Sequence, residues 1–247
     1  MRVFAALALL LLSAPALAIT GNAPSAVTRG RHEVMIVGSH GTFCTGTALA
    51  RDLVLTAGHC IAADTTYKLV EFDAEHQPRL LDVRAVARHP QFHLQSLLAH
   101  RATADVALLQ MARPLPAAVI PASLYNGPTP KLGDTLTVFG YGLAVRGDGK
   151  SGGTLRAARL AVTGHPGNLQ IRLVDPATGG KRAGMGACTG DSGAPVFAGT
   201  ALLGVVSWST GPNLTGGCGG LTGVTPLALY RSWIVETARK LGSPLEP

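Results

Sequence analysis

Cys188-Thr189-Gly190-Asp191-Ser192-Gly193-Ala194-Pro195 sets an Asp-Ser pair between two glycines. Glycines there let the backbone take conformations that other residues resist, and let a second chain approach closely. Two earlier stretches carry residues of matching chemistry. In Thr56-Ala57-Gly58-His59-Cys60 a histidine stands beside a cysteine, which alone is ordinarily a structural arrangement. In Thr103-Ala104-Asp105-Val106-Ala107-Leu108-Leu109 an aspartate heads an apolar run. Such an aspartate is ordinarily a turn residue, but a buried one needs a hydrogen-bonding partner.

Outward from these stretches the chain reads as short strands. Apolar or alternating runs at 34–37, 43–50, 53–56, 106–109, 135–139, 158–162, 169–174 and 202–208 are separated by turn-like segments. Residues 88–104 are polar and His-rich and read as a surface loop; 146–153 are Gly-rich and charged and read as another. The triplet Arg146-Gly147-Asp148 in that second loop reads as a chance match to an adhesion motif. Five prolines between 112 and 130 mark an interdomain linker. One helix is expected at about 226–241, capped by Thr225, with Pro226 in its first turn and Gly242 at its end. Many strands, a Pro-rich middle and a terminal helix predict two all-β lobes with a helical tail.

Composition sets outer limits. The 247 residues are 47% hydrophobic and 14% charged, which suits a folded chain and argues against disorder. Residues 1–18 read as a signal peptide: Arg2, an apolar run over 3–12, then Ala16-Leu17-Ala18 as the cleavage site. The run is too short to span a bilayer, and no later segment is long and apolar enough, so no membrane partner is expected after cleavage. Removing the leader takes one charge, Arg2, from the formal +7 and leaves +6. The basic residues are scattered, which reads as solubility, and nucleic acid is not an expected partner. Four cysteines in an exported chain imply disulfides, and spacing alone leaves three pairings open. No C-x-x-C occurs, and Glu71, Asp73 and Glu75 read as one solvated strand face, so neither zinc nor calcium is expected.

Together the three chemical stretches resemble the T-A-G-H-C, D-[VI]-A-L-[LI] and G-D-S-G-[GA]-P segments of the chymotrypsin/trypsin family, in the family's order. Val138-Phe139-Gly140-Tyr141-Gly142 and Leu203-Gly204-Val205-Val206-Ser207-Trp208 are similar to two further family strands. The resemblance implies an all-β fold of two six-stranded antiparallel β-barrels with a C-terminal α-helix. The first lobe would span 19–118 and the second 119–247. It implies a secreted or periplasmic serine endopeptidase with His59, Asp105 and Ser192 as catalytic triad and the N–H groups of Gly190 and Ser192 as oxyanion hole. It implies Cys44–Cys60 and Cys188–Cys218 as disulfides. Ser207 would bond the catalytic aspartate, and Ser207, Trp208 and Ser209 would pair with substrate backbone. No cofactor is implied; the partners are protein and peptide substrates, and the chain is expected to be a monomer.

In this family a freed Ile or Val amino terminus pairs with the Asp before the nucleophile. Ile19 and Asp191 would form that pair here, with signal cleavage after Ala18 making the terminus directly. Position-matching puts Gly186 at the base of the primary specificity pocket and Ser209 and Gly223 on its walls. From 176 to 235 the only acid is Asp191, so an uncharged pocket for small or medium apolar side chains is expected rather than one for Arg or Lys. The lean leader and two bridges suggest a bacterial source. The rival function is a catalytically silent basic binding protein; loss of a triad residue or of the oxyanion glycine would support it, and all are present.

Overall fold

The computed structural model describes residues 19–26, 31–72 and 77–245. The leader read over 1–18 lies outside the described residues, as do Asp73 and Glu75. Six strands, β1 (Glu33–Gly38), β2 (Phe43–Ala50), β3 (Leu53–Thr56), β4 (Tyr67–Phe72), β5 (Pro78–Arg88) and β6 (Ala107–Met111), close into a barrel in the order β1-β2-β3-β6-β5-β4. Six more, β7 (Thr135–Gly140), β8 (Arg156–Gly164), β9 (Ile171–Val174), β10 (Pro195–Ala198), β11 (Ala201–Ser209) and β12 (Thr222–Pro226), close a second in the order β10-β11-β12-β9-β8-β7. The pairings are antiparallel. The expected all-β, two-barrel fold with a C-terminal helix is the one observed.

Side-chain alternation explains the closure. Val34 and Ile36 of β1, or Ala158, Leu160 and Val162 of β8, project to one side of their strand and fill the barrel. Closing the sheet then removes the exposed strand edges. The β4–β5 hairpin was not among the expected strands. Leu81 and Val83 pack on the first core, but Arg79, Asp82, Arg84 and Arg88 lie between apolar residues along β5 and mask the pattern.

The two ends of the described chain cross over. Ile19 and Ala23, expected with the first lobe, are buried in the core of the second. Ala26 N–H donates to Leu155 O at 3.0 Å, and Ala157 N–H to Pro24 O at 3.2 Å. Conversely the terminal helix packs Ile234 and Ala238 into a cluster with Leu53, Leu55 and Leu108 of the first lobe. Beyond it, Ser243 Oγ donates to Asp52 at 2.7 Å or Gln110 at 2.8 Å. The chain passes between lobes inside the Pro-rich stretch, from Val119 in the first core to Leu124, which bridges Leu202.

The helix itself differs from the expected 226–241. A short helix α1 (Leu94–Leu98) precedes it, and α2 (Arg231–Lys240) begins only after a 3-10 turn at Leu227–Tyr230. Thr225 and Pro226 do not open it. They end β12, in register with Val205 and Gly204, so their backbone belongs to the sheet and Thr225 caps nothing.

Candidate active site

His59 sits in a single 3-10 turn, Gly58–Cys60, directly after β3. Asp105 stands two residues before β6. Because β3 and β6 pair, with Thr56 opposite Ala107, the two residues are brought side by side. Asp105 is fully buried, and a carboxylate there needs several donors. It has them: the backbone N–H of His59 at 2.8 Å, His59 Nδ1 at 2.9 Å and Ser207 Oγ at 2.5 Å. A carboxylate can only accept, so Nδ1 carries the hydrogen and Nε2 is left as the basic nitrogen. A Cys44–Cys60 disulfide ties the histidine turn to β2.

Ser192 lies in the turn before β10 and lines the same cleft as His59. Threonines of the first lobe hold this turn. Thr45 N–H donates to Ser192 O at 2.9 Å, Thr45 Oγ1 to Gly190 O at 2.9 Å, and Thr56 Oγ1 to Thr45 O at 2.8 Å. Gly190 and Gly193 adopt φ of +94° and +76°, a region that side chains rarely allow. A Cβ on either would collide, with the Phe43 ring or with Thr56 Oγ1.

Asp191 points the other way, into the second barrel. It too is fully buried. Its carboxylate accepts from Gly142 N–H at 2.8 Å and Cys188 N–H at 2.9 Å, and packs so tightly on Gly140 and Gly142 that neither could carry a side chain. Burial pushes its pKa up to about 7, against the two backbone bonds and the field of Arg156, which pull it down. Ile19 is buried in the same lobe's core, and Thr20 bridges Gly186.

The cleft between the lobes encloses about 430 Å³. Beside Ser192 and His59 it is walled by Ala187, Thr189, Val206, Trp208 and Ser209, with no carboxylate among its lining residues. A Cys188–Cys218 disulfide braces this wall. Gly186 directly precedes the lining residue Ala187, and Gly223 is not among the lining residues. Gly223 pairs with Trp208, and its bare Cα lies under the indole. The neighbouring Thr222 faces inward instead, and its Oγ1 accepts from Ala187 N–H at 3.1 Å. Among the described residues the cluster Cys44, His59 and Cys60 has metal-ligand types, but its sulfurs are joined in the disulfide and offer no thiolate.

A family model described as Trypsin matches residues 19–234. The chain belongs to the trypsin family. It is a serine endopeptidase. A vitellin-degrading protease of Bombyx mori is 28% identical over 244 residues, covering 90% of this chain and 86% of that protein. Human kallikrein-15 is 29% identical over 224 residues, covering 80% and 82%. A solved structure of neuropsin, a serine protease expressed in the limbic system of mouse brain, superposes with a TM-score of 0.69 over 87% of this chain and 98% of that one; at 21% identity this likeness concerns the fold. The named relatives give the expected bacterial source no support.

Several residues that shape this trypsin-family site were not singled out in the sequence. Thr45 and Thr56 sit in strands where threonine is common, and only the lobe-to-lobe packing reveals their partners. Thr222, whose Oγ1 accepts from Ala187 N–H, sits in a strand with the same inconspicuous look. Arg146, set aside as part of a chance triplet, donates to Gly216 O at 2.7 Å and ties its loop to the cleft rim.

Proposed function

We propose that this endopeptidase acts through Ser192 as nucleophile, His59 as general base and then acid, and Asp105 as the group that orients the imidazole. The observation that carries the reading is the buried Asp105, bonded to His59 Nδ1 and Ser207 Oγ, while His59 and Ser192 face one cleft. Nε2 takes the Ser192 proton as Oγ attacks the peptide carbonyl. The oxyanion is held by the N–H groups of Gly190 and Ser192, each donor typically worth about 3–4 kcal/mol. The imidazolium then protonates the leaving amine, the acyl-enzyme forms, and water deacylates it by the reverse transfers. Asp105 stabilises the imidazolium without taking its proton.

Activation would run through Ile19 and Asp191. With Ile19 still in peptide linkage, Asp191 is a buried carboxyl with two neutral donors and a pKa of about 7. An ammonium at Ile19, exposed by cleavage after Ala18, would supply the missing cation and fix the loop that carries the oxyanion donors. The leader over 1–18 supports export, to periplasm or medium. The cleft favours small or medium apolar P1 side chains. Its lining lacks the carboxylate that Arg or Lys would need, although relatives include proteins named trypsins. The reading requires no cofactor and a single chain.

The test is hydrolysis of succinyl-peptide anilides with Ala, Val, Leu, Phe, Arg or Glu at P1, by protein beginning at Ile19 and by its Ser192→Ala variant. Cleavage after the apolar residues that vanishes in the variant is the expected result. Cleavage mainly after Arg would refute the uncharged pocket; turnover that survives in Ser192→Ala would refute the triad.

A further inference from the structure

Strands β11, β12 and β9 lie side by side, with Trp208 opposite Gly223 and Gly223 opposite Arg172. The middle residue has no side chain. The indole therefore lies across it and reaches the third strand, where the Arg172 guanidinium stands 6.0 Å from the ring centroid. On the ring, His100 is stacked at 4.5 Å with an interplanar angle of 11°. His100 comes from the loop after α1 and holds a φ of +51°, uncommon for residues other than glycine. Two nitrogen-rich side chains thus converge on one indole that itself lines the cleft.

The charge around this cluster is one-sided. Arg101 follows His100 and is exposed. Between 88 and 104 there is no acid, and the acids next in sequence, Asp105, Asp175 and Asp191, are buried with their carboxylates bonded elsewhere. Neither Arg172 nor Arg101 is in an ion pair among the described residues, and Arg172 Nε has no hydrogen-bond partner there.

Resting on the proposed pairing of substrate with residues 207–209, we infer that Arg172 and His100 form a specificity site for an acidic side chain at P2 or P4 of the substrate. Side chains of an extended peptide alternate. When P1 enters the cleft beside Ser209, P2 and P4 project to the opposite face, where Trp208, His100 and Arg172 stand. The stacked imidazole covers the indole, so what meets the substrate is a polar, cation-bearing edge rather than a bare aromatic floor. A carboxylate there gains a guanidinium that has no competing protein acid.

The test uses internally quenched peptides sharing one efficient P1 residue and differing only in Glu or Gln at P2, or at P4. Wild-type protein starting at Ile19 should favour the Glu peptide at one of these positions by about fivefold in kcat/KM, the size of a partly exposed ion pair. That ratio should fall as ionic strength rises. Arg172→Gln should bring the ratio toward one, Arg172→Glu should reverse it in favour of a Lys peptide, and His100→Phe, which keeps a stacked ring, should lower it. Because each result is a ratio within one protein preparation, partial misfolding of a variant does not mimic it. A wild-type ratio near one at both positions, with the Gln peptides cleaved, overturns the subsite alone. No cleavage of any peptide overturns the triad reading and the subsite with it.

Discussion

Asp105 and Asp191 are both fully buried aspartates within the same site, and they are held in opposite ways. Asp105 is surrounded by donors from side chains as well as backbone: His59 twice and Ser207 once. One of these, the imidazole, becomes a cation in the proposed mechanism. Asp191 has two backbone N–H groups, and its rise from an ordinary value of 3.8 to about 7 corresponds to about 4 kcal/mol of lost preference for the charged form. The first carboxylate is completed by the fold alone. The second is left short of a cation, and a freed Ile19 terminus would provide it. In the proposed mechanism one aspartate serves the chemistry and the other its timing.

Breaking the first arrangement should cost most. Asp105→Asn should lower kcat on the order of 10⁴-fold with the fold intact, because the amide favours the wrong imidazole tautomer; kinetics with a circular dichroism control reads this. Adding one residue before Ile19 attacks the second. Loss of a formed oxyanion hole should reduce kcat/KM on the order of 10²-fold or more, and unchanged activity would separate Asp191 from activation. Ser207→Ala removes a single donor from Asp105 and should cost about tenfold in kcat, since a hydrogen bond to a charged group is worth about 1.5–3 kcal/mol.

The smallest effect is on stability and sharpens the comparison through pH. In the extended protein the folded pKa of Asp191 lies above its unfolded value. That group's contribution to stability is therefore greatest below the unfolded value and is lost as pH rises through about 7. Thermal melts of the extended form should fall between pH 5 and 8 relative to those of the Ile19 form, by a few degrees. Asp191→Asn should erase the difference.

The sequence carried much of this arrangement, for physical reasons that vary by residue. His59, Asp105 and Ser192 were legible because each sits in a distinctive local frame and the three frames occur in one order. The barrels were legible where apolar residues alternate cleanly, as in β8, and illegible in β5, where charges interrupt. Thr222, which bonds Ala187 N–H, was not legible, because neighbouring strand residues face opposite sides and the sequence does not say which of them turns toward the site. The clamp by Thr45, the tie from Arg146 to Gly216 and the stacking of His100 on Trp208 join residues 70 to 145 positions apart. No local pattern encodes such meetings; they appear only when both barrels are in place.

The exchanged ends have a consequence for a molecule whose own chemistry is to cut chains. Its longest connection between strands runs from Met111 to Thr135 and carries the chain from one lobe to the other. A single cut there would not set the lobes free. The head of the chain would still be anchored in the second barrel through Ile19 and Ala23, and the tail would still be clasped to the first through Ile234, Ala238 and Ser243. The enzyme is fastened like a parcel tied from both sides, and a nicked copy would stay whole.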